Sequence, residues 1–192
     1  KTLALVPVLA AAFLSAGQTL VKNVVPNDPF FKYQVTFLNP GGTISVERTS
    51  IKASPVTLEA TAGIDCKVTK AWTISTGSRD VIVAILDDGF FYNHEDLQGN
   101  FWANPGESGP DATGHAKETN RVDDDGNGYV DDVMGWDFAF DDPDPDCYIY
   151  DGKRRDRIQP YWHSISAMGI IGARGNNGIG VAGVNWDVSL ML

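Results

Sequence analysis

The sequence predicts an α/β fold built on a mostly parallel sheet, and three segments carry that prediction. Residues 81–86 (VIVAIL) form a short run rich in valine and isoleucine, the pattern of a strand covered on both faces in a parallel sheet. Residues 164–173 (SISAMGIIGA) are small and apolar, as in a helix packed closely on a sheet, and residues 188–192 (VSLML) read as a second buried strand. The first strand ends abruptly in Asp87-Asp88-Gly89. Open α/β folds place ligands and catalytic groups at the C-terminal edge of their strands. A carboxylate there needs a cationic partner or hydrogen bonds to stay ionised, and the partner expected for Asp87 is His163.

The other elements follow in chain order. Residues 1–17 (KTLALVPVLAAAFLSAG) place one lysine before an apolar run that ends in small residues, which reads as a secretory signal peptide; a buried N-terminal helix is the alternative. The run is short for a membrane span. A polar leader, 18–25, follows, and residues 26–192 are expected to form one domain. Pro26 and Pro29 around Asn27-Asp28 make an extended or turning entry. Residues 35–38 and 43–46 are expected as short strands about the turn Asn39-Pro40-Gly41-Gly42. Residues 67–74 can form an amphipathic helical turn with Val68, Ala71 and Trp72 on one side. Residues 99–148 are loop by composition, yet Trp102, Trp136 and Phe138 argue that this loop is ordered. The chain's last residues are an apolar run without a cap or polar tail, which reads as a fragment.

Composition narrows the partners. The 192 residues carry 25 acids against 15 lysines and arginines, a formal charge of −10. Many of the acids fall between residues 123 and 146. This argues against nucleic acid as a partner and favours bound cations. Export would make Cys66 and Cys147 candidates for a disulfide, with two free thiols the alternative. Residues 153–157 (KRRDR) are read as a solvated basic loop, with a processing site or a rim contacting an acidic substrate as the minority reading. His94 and His115 lack zinc-motif spacing and are expected on the surface.

The acidic segment has a pattern of its own. In DDDGNGYVDD (123–132), Asp123, Asp125 and Asn127 occupy the first three side-chain positions of an EF-hand-like loop. Gly128 supplies the turn, and the Tyr129 carbonyl and Asp131 follow. The closing glutamate is absent, because Met134 stands in its place. A calcium loop is therefore expected without an EF-hand domain; a solvated acidic turn is the alternative.

Six segments in order resemble the subtilisin-like serine proteases. Asp87-Asp88-Gly89 after a buried strand resembles that family's Asp-Thr/Ser-Gly motif. PNDPFFKYQ, KAWTISTGS, NHEDL, GWDF, GNNGIGVAGV and VNWDVSLML agree in register around it, so the resemblance spans residues 26–192. His163-Ser164-Ile165-Ser166-Ala167-Met168-Gly169 aligns with the histidine motif, keeping its first histidine and last glycine. Asp88 departs from the family's serine or threonine. The expectation for Asp88 itself is that strand alternation points it away from His163.

The resemblance implies a three-layer α/β domain, here incomplete at its C-terminus. It implies a secreted serine endopeptidase with Asp87 and His163 as two members of an Asp-His-Ser triad. The third member lies in a Gly-Thr-Ser-Met-Ala segment that this sequence does not contain, so the polypeptide by itself is expected to be inactive. Most secreted relatives carry a folding prodomain where this chain has only the leader. The resemblance also implies a tight calcium site from Asp28, Asp96 and Asn177 with carbonyls of Gly175, Ile179 and Val181. A weaker third site would use Asp137, Asp142 and Asp144, although Pro143 and Pro145 suit a plain rigid turn as well. The expected partner is a protein or peptide substrate, with no nucleic acid and no stable membrane association after signal removal. A non-catalytic calcium-stabilised binding module or pseudoprotease on the same fold is the alternative.

Overall fold

The computed structural model describes residues 23–46, 56–146, 148–150, 155–157 and 162–192. The signal-like segment, most of the leader, Cys147, Lys153 and Arg154 lie outside the described residues. The elements are strands β1 (Gly42–Val46) and β2 (Val56–Ala60), helix α1 (Val68–Ala71), strand β3 (Gly77–Ala84), strands β4 (Tyr148–Tyr150) and β5 (Arg155–Arg157), helix α2 (Trp162–Gly172) and strand β6 (Asp187–Met191). Short 3-10 turns stand at Phe31–Tyr33, Glu95–Leu97 and Lys117–Thr119. Among the described residues the strands make three two-stranded sheets: β1–β2 and β4–β5 antiparallel, β3–β6 parallel. The fold is α/β, and the parallel pair positions the site.

Apolar burial selects β6 as the inner strand. Val188 and Leu190 are almost fully buried, and they pack with Ile85, Phe90, Leu97 and Met168 of α2 in the main core. On one edge β6 pairs with β3, with Ile82, Val83 and Ala84 opposite Ser189, Leu190 and Met191. On the other edge Leu190 N–H donates to the Asn100 carbonyl at 2.7 Å, and Trp102 N–H donates to the Leu190 carbonyl at 2.8 Å. Asn100 is fully buried, and its amide donates to the carbonyls of Gly172 (3.0 Å) and Trp186 (2.9 Å), tying the end of α2 to the entry of β6.

The expectation that the first strand is covered on both faces does not hold. Val81 is 56% and Ile82 50% exposed. Among the described residues β3 has one strand neighbour, so its free edge and outer face stay open while β6 takes the core.

The N-terminal arm forms a second core. Phe31, Phe37, Val68 and Ala182 surround Trp72. The Trp72 ring lies 5.8 Å from Phe31, 5.9 Å from Phe37 and 4.9 Å from Trp186, and its Nε1–H donates to the Val184 carbonyl at 2.8 Å. In α1, Val68 and Trp72 are buried at i and i+4, but Thr69 rather than Ala71 joins them.

Residues 35–38 are turns, not the expected strand. Gln34 causes this. Its side chain clamps Ala182 by two hydrogen bonds of 2.8 Å, and the chain then turns, with Phe37 N–H on the Gln34 carbonyl, to seat Phe37 against Trp72. Residues 42–46 do form a strand, but its partner is β2.

Candidate active site

Asp87 lies just past the end of β3, and His163 is the second residue of α2. The two residues, 76 apart in sequence, are brought together by the packing of α2 on the β3–β6 pair. His163 Nδ1 is 2.9 Å and 2.8 Å from the two Asp87 oxygens. With the proton on Nδ1, the imidazole donates to the carboxylate and keeps the Nε2 lone pair free. The Asp87 side chain is 11% exposed and that of His163 75%, so the acid is sheltered and the base is open.

Partial burial pushes the Asp87 carboxyl upward. The Asp88 N–H (2.8 Å), the Asp88 side chain and the His163 ring more than offset this, and Asp87 lies below the usual carboxylate range. Asp88 lies above that range, raised by desolvation and then by hydrogen bonding and charge repulsion from Asp87. The expectation that Asp88 points away from His163 is overturned. An oxygen of Asp87, one of Asp88 and a ring nitrogen of His163 all fall within 4.8 Å of one another. The alternation rule fails here because β3 ends at Ala84, so residues 87 and 88 are no longer strand.

A prediction follows for Asp88→Thr. An acid whose folded pKa exceeds its unfolded value destabilises the fold as pH rises through that window. The variant is therefore expected to melt no lower than the parent at neutral pH. The difference should fade as pH falls below the ordinary carboxylate value. A lower melting temperature at pH 7 would show that Asp88 has a structural role instead.

Asp87 of this pair lines a cleft of about 970 Å³. Asp87, Asp88 and Gly89 line it together with Trp102, Trp136 and Phe138. Tyr129 holds this aromatic wall together, with its ring 5.0 Å from Trp136 and 6.0 Å from Phe138. Ser164, the neighbour of His163 on α2, is fully buried.

A family model described as the subtilase family matches residues 78–192, well over half of the chain. The chain belongs to the subtilase family. It is 36% identical over 110 residues to a subtilisin-like protease 1 of Plasmodium vivax, a match covering 57% of this chain and 14% of that protein. It is 25% identical over 183 residues to an extracellular basic protease of Dichelobacter nodosus, covering 93% of this chain and 24% of that protein. A PC3-like endoprotease of Hydra vulgaris matches at 32% over 77 residues, 40% of this chain and 9% of its own length. This subtilase chain thus spans a quarter or less of each of these relatives.

Two further groups of oxygen donors are assembled outside the Asp87–His163 pair. In the first, Asp28 and Asp96 are both buried beside the 175–181 loop. Asp28 accepts from the N–H groups of Asn176 (2.7 Å) and Asn177 (3.3 Å). Asp96 accepts from Asn177 Nδ2 (3.0 Å) and Val181 N–H (2.8 Å), and Asn177 Oδ1 takes the Ile179 N–H at 2.7 Å. Burial is the largest influence on Asp96 and raises its pKa, with the Asp28 charge adding to it. A Cβ on Gly180 would stand 2.2 Å from Asp96 Oδ2, so only glycine leaves room for that carboxylate. Two buried acids in one cradle fit a hard cation. Gly175 lies in the same loop, where its own Cβ would strike the Trp186 ring.

The second group is the acidic loop, and here the expected ligand set does not assemble as a whole. Asp131 turns its carboxylate to the Arg121 N–H at 3.1 and 3.2 Å, and Asn127 Oδ1 takes the Tyr129 N–H at 2.7 Å. Asp123 and Asp125 converge instead with Glu107, a residue that sequence spacing does not single out. Asp137, Asp142 and Asp144 cap backbone N–H groups of their own loop, as Ala139 N–H to Asp137 (2.8 Å) illustrates. His94 caps the 95–97 turn, and His115 is exposed. No helix among the described residues is long and apolar enough to cross a membrane.

Proposed function

We propose that this chain is the N-terminal part of the catalytic domain of a secreted, calcium-stabilised serine endopeptidase. The observation that carries this reading is the contact of His163 Nδ1 with the Asp87 carboxylate at 2.8 Å, Asp87 itself lining a cleft rich in aromatic side chains. In the proposed reaction His163 Nε2 takes the proton of a serine hydroxyl supplied by a later segment of the protein, then passes it to the leaving amine. Asp87 holds the imidazole with its proton on Nδ1 and stabilises the imidazolium. The aromatic wall of Trp102, Trp136 and Phe138 offers an apolar surface to a peptide side chain.

The same reading places β3 and β6 in a larger three-layer sheet, whose further strands and second helical layer would cover Val81 and Ile82. Secretion rests on the signal-like residues 1–17 and on the extracellular character that the name of the Dichelobacter relative records. The test is covalent labelling of the full-length protein with a serine-directed phosphonate. Labelling that requires His163 supports the endopeptidase. A full-length protein that folds but neither labels nor cleaves peptides is the binding module instead.

Calcium at Asp28, Asp96 and Asn177 would neutralise two buried acids and fasten the N-terminal arm to the 175–181 loop. Because the ion would bind only the folded form, saturation at 100 times Kd adds about 2.7 kcal/mol. Chelation should therefore lower the melting temperature of the full-length protein by several degrees, and calcium should restore it. An unchanged melting curve in chelator ends the calcium reading.

A further inference from the structure

We propose that Glu107 closes a second divalent-cation site with Asp123 and Asp125, doing from outside the acidic loop what a twelfth-position glutamate does inside an EF-hand. The site takes calcium, and the inference deepens the calcium-stabilised reading on which it rests.

Four observations converge on it. First, Glu107 is fully buried, and its two oxygens are unequal. Oε1 accepts the N–H groups of Asp124 (2.7 Å) and Asp125 (3.2 Å), whereas Oε2 is buried without a hydrogen-bond partner. A buried carboxylate oxygen left unpaired is costly, and among the described residues no lysine or arginine forms an ion pair with it. Second, one oxygen from each of Glu107, Asp123 and Asp125 lies within 4.8 Å of the others. Oxygens around one calcium ion, each at roughly 2.3–2.6 Å, are separated by no more than about twice that radius.

Third, the backbone makes room for the cluster. A Cβ on Gly106 would fall 2.4 Å from the Asp125 Cβ, so glycine before Glu107 lets the Asp125 side chain close onto this segment. Fourth, the surroundings hold the three acids in place rather than neutralise them. Asp123 accepts N–H groups from Gly126, Asn127 and Gly128 at 2.7, 3.1 and 2.9 Å. Asn104 donates to Asp125 (2.9 Å) and to Asp132 (2.8 Å), and Asn127 donates to the same two side chains. The set contains only oxygen donors, which suits a hard cation and not zinc or copper. Asp132 and Asn127 also line the cleft beside Asp87, so an ion here would stiffen the loop that carries the aromatic wall.

The experiment compares the parent full-length protein with Glu107→Gln, which keeps an oxygen for the Asp124 and Asp125 N–H groups but removes the charge. Titration calorimetry with calcium should count one ion fewer per chain in the variant. In chelator the variant should melt at or above the parent, because the repulsion among three acids is relieved. In calcium it should melt below the parent. An unchanged calcium count overturns the proposal. So does a variant that melts lower than the parent by the same amount with and without calcium, since that marks a purely structural glutamate. If Glu107→Gln does not fold, Asp123→Asn carries the same comparison, and a retained ion count there overturns the site. Phosphonate labelling is scored separately, so a protein that binds calcium through Glu107 but never labels refutes the protease reading and leaves this one standing.

Discussion

His163→Ala in the full-length protein should lower kcat by about 10⁴- to 10⁶-fold, a scale set by triad hydrolases in general. The argument is local. A serine hydroxyl is not appreciably ionised at neutral pH, and its reactivity depends on a base whose lone pair faces it. In this chain the Asp87 contact at 2.8 Å commits Nδ1 and leaves Nε2 for that task. The ring is 75% exposed, so its removal leaves the main core intact and the melting temperature nearly unchanged. Asp87→Asn should cost about 10⁴-fold, because an amide can favour the wrong imidazole tautomer. The contact also carries a pH signature. Asp87 is held below the usual carboxylate range, so its contribution is complete above the unfolded value and lost as pH falls through the lower folded one. Rates measured on the two variants check the assignment; wild-type turnover in His163→Ala would remove His163 from the chemistry.

Trp72→Ala should lower stability by about 3–5 kcal/mol, the usual cost of removing a large buried aromatic. Trp72 is 4% exposed and touches Phe31 and Phe37 of the arm and Trp186 before β6. It also holds the Val184 carbonyl. Its loss leaves a cavity and one unpaired carbonyl at the junction of three segments. The arm carries Asp28, so on the calcium reading proposed above the same substitution should weaken calcium binding at the Asp28–Asp96 site as well as fold stability. Equilibrium unfolding and calcium titration of the variant measure the two effects. A stability loss below about 1 kcal/mol would place the arm's anchorage elsewhere.

Much of the scaffold was legible in residue order. The valine- and isoleucine-rich run, the small-residue helix and the final apolar run announce β3, α2 and β6, because residue type and apolar pattern report the kind of element. The parallel pairing of β3 with β6 agrees with that reading. That β3 rather than β6 would be the exposed strand was not legible, since a strand's composition does not say how many neighbours it has. Residues 35–38 misled for a related reason: their short apolar pattern suits a strand, but Gln34 clamps Ala182, 148 residues away, and forces a turn.

By itself, then, the sequence determined the family, the central elements and the acids and imidazole available for chemistry. The family rests on the resemblance of its motif segments, the elements and groups on composition and local spacing. Tertiary structure alone decided which groups meet. Asp88 joins Asp87 and His163 because the strand ends early, and Glu107 rather than Asp131 faces Asp123 and Asp125 because the 102–108 segment folds back over the acidic loop. Such encounters hinge on where backbone N–H groups and glycine gaps lie across distant segments, information that spacing along one loop does not contain.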